Sequence, residues 1–288
     1  MVGRAWAAAA AVFSLAGLMA TDASAGETLY GEAASMGHGE ARVFVELDDS
    51  GKPRALGTRF DAALLDGLPQ KKNRTSRCFD VDGDGHLDGH ECQGDYEIVL
   101  ALPAGHGPES GLPVRWVNIN WNPEGHMPPA PPPWAAPHFD FHFYIQDHDS
   151  VMAIRPGPCA ELVDCDDFET GKKPVAARYL PVHHIDVGAV VPAMGNHLID
   201  SRSPELAEGG PPFTHTFIYG SYDGRITFLE PMITHAFLAG RPDFCTAINL
   251  PQVYEVGGYY PTGYCIRYEA ATDSYRVSLD HLVHRDAQ

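Results

Sequence analysis

Pro137-His-Phe-Asp-Phe-His-Phe-Tyr144 is the stretch on which the fold turns. Strand side chains alternate between two faces, so His138, Asp140 and His142 fall on one face and Phe139, Phe141 and Phe143 on the other. The aromatic face belongs against a core. The opposite face carries groups that bind metals or move protons.

Outward from this strand the pattern stays β. Ala41-Arg-Val-Phe-Val-Glu-Leu47, Tyr96-Glu-Ile-Val-Leu-Ala-Leu102 and Val114-Arg-Trp-Val-Asn-Ile-Asn-Trp121 all alternate. Phe213 to Tyr219, Arg225 to Glu230 and a hairpin from Tyr264 to Leu279 continue the pattern, with turn signals at Asp48-Asp-Ser-Gly51, Tyr222-Asp-Gly224 and Thr272-Asp273. The proline-rich run 122–134 reads as a stiff approach to the key strand. Phe60 to Pro69 reads as the one short helix, with Asp61 as its N-cap and Gly67 and Pro69 stopping it. The expected fold is mainly β, a sandwich or an open barrel.

The first 25 residues read as a signal peptide: Arg4, an apolar run from Ala5 to Met19, and the small-residue site Ala23-Ser-Ala25. The remainder, 26–288, is expected to be a single exported domain, periplasmic or extracellular, with 70–94 inserted into it and no later membrane span. Net charge is −18, which speaks against nucleic acid and anionic membrane surfaces and favours cations as partners. The six cysteines suit an oxidising compartment, and nearest-neighbour pairing (Cys78 with Cys92, Cys159 with Cys165, Cys245 with Cys265) would close short loops.

Asp80-Val-Asp-Gly-Asp-Gly-His-Leu-Asp-Gly-His-Glu91 matches the EF-hand calcium loop throughout. Asp80, Asp82 and Asp84 stand at its alternating carboxylate positions, and Gly85 at its sharp turn. His86 offers a backbone carbonyl, Asp88 follows, and Glu91 supplies the closing bidentate carboxylate. The flanks lack helical periodicity, so a lone loop clamped by Cys78 and Cys92 is expected in place of a helix pair.

A second set of ligands is His126, His138, Asp140, His142, His197 and Glu230. Imidazoles with one or two carboxylates suit zinc, iron, manganese or copper. Residues two apart on a strand are about 6.6 Å apart, a workable chelate span. A site built from one neighbouring His/Asp pair with His197 and Glu230 is the easiest to form. His215 and His235 lie near the same segments, whereas His183 and His184 read as loop residues.

The runs Trp121-Asn-Pro-Glu-Gly-His126, Pro137 to Tyr144, Met194-Gly-Asn-His197, Phe213-Thr-His-Thr-Phe-Ile-Tyr-Gly220 and Phe228-Leu-Glu-Pro-Met-Ile-Thr234 resemble a family of bacterial exported domains of unknown function. Gly67-Leu-Pro69 and Tyr259-Tyr-Pro-Thr262 resemble it too. The resemblance implies a shared site at the six His/Asp/Glu residues, names no reaction, and makes the calcium loop an insertion. Three functions stay open at this point: an exported metal-binding protein, a metal-dependent hydrolase or oxygenase acting on a small molecule, and a structural module that calcium merely orders.

Overall fold

The computed structural model describes residues 26–88, 90–126 and 133–288. The expected signal peptide and the middle of the proline-rich run lie outside the described residues. The strands are β1 (Thr28–Tyr30), β2 (Ala34–Met36), β3 (Gly39–Leu47), β4 (Pro53–Asp61), β5 (Tyr96–Ala101), β6 (Trp116–Asn122), β7 (His138–Tyr144), β8 (Pro156–Cys159), β9 (His184–Val191), β10 (Gly195–Asp200), β11 (His215–Tyr222), β12 (Arg225–Thr234), β13 (Asp243–Ala247), β14 (Gly258–Tyr260), β15 (Gly263–Glu269), β16 (Ser274–Asp280) and β17 (Val283–Arg285). All but β8 form two seven-stranded sheets and a small β14–β17 pair. One sheet runs β1-β3-β4-β16-β15-β13, with β2 on β3, and the other runs β5-β6-β7-β12-β11-β10-β9.

The fold is mainly β and sandwich-like, because the two sheets share one core. Phe139, Phe141 and Phe143 of β7 join Val117 and Ile119 of β6 and Leu229 and Ile233 of β12 against Val43, Phe60, Tyr275 and Val277 of the facing sheet. Ring centroids of Phe60 and Phe141 lie 5.9 Å apart, and those of Phe217 and Tyr264 lie 5.2 Å apart. The alternation of β7 thus sets its aromatic face inward. Its histidine face is also buried.

Strand assignments from the sequence match β3, β5, β6, β11, β12 and the β15–β16 hairpin. The helix at 60–69 does not form as expected. Strand β4 runs on through Phe60 to Asp61, and only a 3-10 turn, Ala62–Leu65, follows. Asp61 makes no capping bond there; its carboxylate accepts from the Glu40 N–H at 3.2 Å instead. The β16 register that places Tyr275 opposite Phe60 explains the preference, since it buries Phe60. Three short α-helices arise elsewhere: α1 (His148–Met152), α2 (Cys165–Gly171) and α3 (His235–Ala239). Each is capped by a side chain, from Asp147, Asp164 and Thr234 respectively. His184 also departs from expectation: it opens β9 and is buried. All three disulfides join nearest-neighbour cysteines. No helix among the described residues is long and apolar enough to cross a membrane.

Candidate metal centre

The outward face of the second sheet gathers all six expected ligands, but as two triads rather than one site. His126, His138 and Asp140 form the first; His142, His197 and Glu230 form the second. The correction follows from strand geometry. His138 and His142 are four residues apart on one strand, and each is drawn to the nearest carboxylate on its own side.

In the first triad, His138 Nε2 is 3.2 Å from Asp140 Oδ1, and His126 Nε2 is 3.4 Å from Asp140 Oδ2. In the second, His142 Nε2 is 3.5 Å from Glu230 Oε1, and His197 Nε2 is 3.8 Å from Glu230 Oε2. Donors at about 2.0–2.1 Å from a tetrahedral ion stand roughly 3.4 Å from one another. These spacings therefore suit donors arranged around an ion. They do not act as hydrogen bonds for His138 Nε2, Asp140 Oδ1, His142 Nε2 or either Glu230 oxygen, all of which lack a partner among the described residues.

Second-layer contacts aim the rings. His138 Nδ1 bonds the Ala136 carbonyl at 2.7 Å, and His197 Nδ1 bonds the Ala189 carbonyl at 2.9 Å. A carbonyl only accepts, so Nδ1 carries the proton in each ring and Nε2 presents its lone pair to the triad. Asn122 Nδ2 donates to Asp140 Oδ2 at 2.7 Å. Phe228 packs edge-on to His142 and His197, with centroids 4.9 and 5.2 Å away. Gly220 makes room for that ring, since a Cβ there would sit 2.0 Å from Phe228 Cε1. Register irregularities fall beside the site, at Gly220/Ser221 and His197/Leu198, where bulges re-aim side chains.

Electrostatics separate the two carboxylates. Burial pushes Glu230 well above the usual carboxylate range, with the Asp140 charge adding to the shift. Burial opposes ionisation of Asp140 as well, but the His138 and His126 imidazoles outweigh it and hold Asp140 well below that range. Burial lowers His142 to about 3 and His197 to about 4, so both stay neutral, which is the ligating form. For His126, the Asp140 charge outweighs desolvation and raises the pKa.

A cavity of about 300 Å³ opens beside the triads and meets His126 and Asp140 of the first and His197 of the second. Trp134, Ile199, Ile218 and Met232 form an apolar side, while Lys72, Asp95 and Glu161 lie on the polar side.

Beside the triads, on the neighbouring strand, stands a polar row that the sequence reading missed. Asn118, Asn120 and Asn122 of β6 lie directly opposite His142, Asp140 and His138. Asn118 Nδ2 donates to Glu97 at 2.9 Å, and Asn120 donates to Asp95. Arg77, with a side chain 7 % exposed, bridges Asp95 at 2.6 Å and also bonds Glu97. The signal was present as Asn118-Ile-Asn120-Trp-Asn122, a polar alternation on a strand next to the histidine strand.

His215 and His235 belong elsewhere. His215 Nδ1 bonds the Tyr264 hydroxyl at 2.8 Å beside Phe244, and His235 Nε2 bonds the Leu65 carbonyl at 3.0 Å.

The loop from Asp80 to Glu91 has no flanking helices and is bracketed by the Cys78–Cys92 disulfide. Glu91 turns inward, accepting from the N–H of Val81 at 2.6 Å and of Asp88 at 3.1 Å. Asp80 accepts from Gly83 and Gly85, whose φ angles of 73° and 81° suit glycine. Carboxylate atoms of Asp80, Asp82 and Glu91 converge within 4.8 Å of one another. Asp84 accepts from the His86 N–H, and Asp88 from the His90 N–H.

Comparisons with family models, with characterised proteins and with solved structures give no match for this chain.

Proposed function

We propose that this chain is an exported metal-binding protein with a two-seat transition-metal centre on the outer face of the second sheet. One observation carries the reading: buried polar atoms without partners concentrate there. Among the described residues, Asn118 Oδ1, Asn120 Oδ1, His138 Nε2, Asp140 Oδ1, both ring nitrogens of His142, the Tyr144 hydroxyl and both Glu230 oxygens are all unpartnered. An unpaired buried polar group costs about 1–3 kcal/mol, and more if charged. A divalent cation in each seat would satisfy His138 Nε2, the Asp140 and Glu230 carboxylates and one nitrogen of His142 together. Two imidazoles and one carboxylate per seat suit zinc, iron, manganese or divalent copper, while the absence of a thiolate or thioether from either triad disfavours monovalent copper.

The loop from Asp80 to Glu91 is a separate calcium site in this reading, supported by its full ligand pattern and its converging carboxylates. The disulfide across its base stands in for the missing helices.

Elemental analysis of the mature chain, purified without chelator, tests the reading. About two transition-metal equivalents are expected per chain, with one lost in His138→Ala and a different one in His142→Ala. Calcium should persist in both variants and fall in Asp80→Asn. Calcium alone, unchanged in the histidine variants, would overturn the transition-metal centre.

A second reading, a metal-dependent hydrolase or oxygenase, is favoured by the cavity. It touches ligands of both seats, so an ion in either would have an accessible side for water or substrate.

A further inference from the structure

We infer that the cavity beside the two triads binds the oxyanion head of a small organic molecule, with Lys72 and the two metal seats holding the head and the apolar wall holding the body. The inference rests on the two-seat reading above and adds the class of ligand.

Charge leads to it. Each seat supplies a single carboxylate, Asp140 in the first and Glu230 in the second. A divalent ion in each leaves one uncompensated positive charge per seat. Lys72 lies on the same cavity wall, and among the described residues no carboxylate comes within 4.0 Å of its ammonium group. Of the acids on that wall, Asp95 shares the single Arg77 charge with Glu97, and Glu161 acts on Lys72. Two divalent ions, Lys72 and Arg77, set against Asp140, Glu230, Asp95, Glu97 and Glu161, leave the occupied cavity one surplus positive charge while the metal-bound water is neutral. Interactions there are stronger than in bulk water, because the surroundings are poorly solvated. The rest of this acidic protein repels anions, so a positive pocket stands out as selective.

Lys72 is held in place. A Cβ on Gly94, whose φ is 85°, would lie 2.8 Å from three carbons of the Lys72 stem, so the stem rests on that glycine. The side chain thus lines the cavity from a fixed stem rather than from a free surface chain.

The other side sets the body of the ligand. Trp134, Ile199, Ile218 and Met232 face the cavity with apolar surface. At about 300 Å³ the space is at the small end of ligand pockets, enough for a single ring or a short chain. A phosphonate or phosphate monoester and a carboxylate share the required chemistry; an oxygen of either could bridge toward the seats while another meets Lys72.

The test is calorimetric titration of the zinc-loaded mature chain, with zinc content measured first. Phenylphosphonate and benzoate are the two oxyanion probes, and benzyl alcohol is the neutral control of the same ring. One probe molecule per chain is expected to bind, to compete with inorganic phosphate, and to be lost after chelation. Whichever oxyanion binds more tightly identifies the head group. Lys72→Met keeps the apolar stem over Gly94 and should weaken binding by tenfold or more at unchanged zinc content. Two zinc equivalents with no oxyanion binding, with equal binding of benzyl alcohol, or with no effect of Lys72→Met, would overturn this inference and leave the metal centre standing. Absence of zinc would overturn the metal centre itself, and this inference with it.

Discussion

Replacing Glu230 with methionine should stabilise the metal-free protein and destabilise the metal-loaded one. Glu230 is buried, and among the described residues neither of its oxygens has a hydrogen-bond partner. Methionine has a similar volume and nothing to satisfy, so the metal-free chain gains about 2 kcal/mol, the usual cost of an unmet buried polar group. At roughly 2–4 °C per kcal/mol for a chain of this size, melting in chelator should rise by about 4–8 °C. With zinc the sign reverses. A seat filled at a hundredfold excess over its Kd contributes about 2.7 kcal/mol, and Glu230→Met removes that contribution from the second seat. The zinc-induced rise in Tm should therefore drop by roughly 5–11 °C, leaving what the first seat supplies. Calorimetric melting of both proteins, with chelator and with zinc, measures all four states. If Glu230→Met lowers the melting temperature as much in chelator as in zinc, the carboxylate has a structural partner and the argument from its unpaired oxygens is refuted.

Three further outcomes follow from the same geometry. In metal-free Glu230→Met protein, His142 and His197 keep pKa values of about 3 and 4, below the ordinary 6.5, so their stability contribution is present above pH 6.5 and lost as pH falls. By pH 5 the loss should reach about 2 kcal/mol for each ring relative to pH 7.5, read from urea denaturation at the two pH values. Gly220→Ala would push its Cβ into the Phe228 ring at 2.0 Å, costing about 1–3 kcal/mol and weakening zinc in the second seat while sparing the first, as a stepwise zinc titration would show. Arg77→Met strands Asp95 and Glu97 and should cost about 3–5 kcal/mol in urea denaturation; adding Asp95→Asn and Glu97→Gln to the same chain should recover most of that loss.

Much of the fold was readable because its strands obey a simple period. The alternation in 137–144 gave both the core face and the ligand face, and cysteine spacing anticipated all three disulfides. What failed has a physical reason in each case. The 60–69 helix lost to a longer β4, because pairing with β16 buries Phe60 against Tyr275 and a short helix has little intrinsic stability to oppose that. The helices at His148–Met152 and His235–Ala239 are five residues long, too short to display a helical period. The six candidate ligands, expected as one shared site, fall into two triads, and that division depends on cross-strand register. Register decides that Asp140 lies beside Met232 and that Glu230 is left for His142 and His197. Arg77 carried no signal at all, because its partners come from strand β5 and the residue before it, which only the folded chain brings beneath β6.

Strand β7 carries core and ligands on alternate residues, so the two cannot be misplaced independently. A slip of one residue against β6 or β12 would turn three phenyl rings out to the polar layer and three polar groups into the sandwich. Such a chain would lose its hydrophobic contacts and both triads at once. Pairing of the central strands is thus verified from two sides, by oil on the inner face and by the assembly of two polar triads on the outer, and only one alignment passes both.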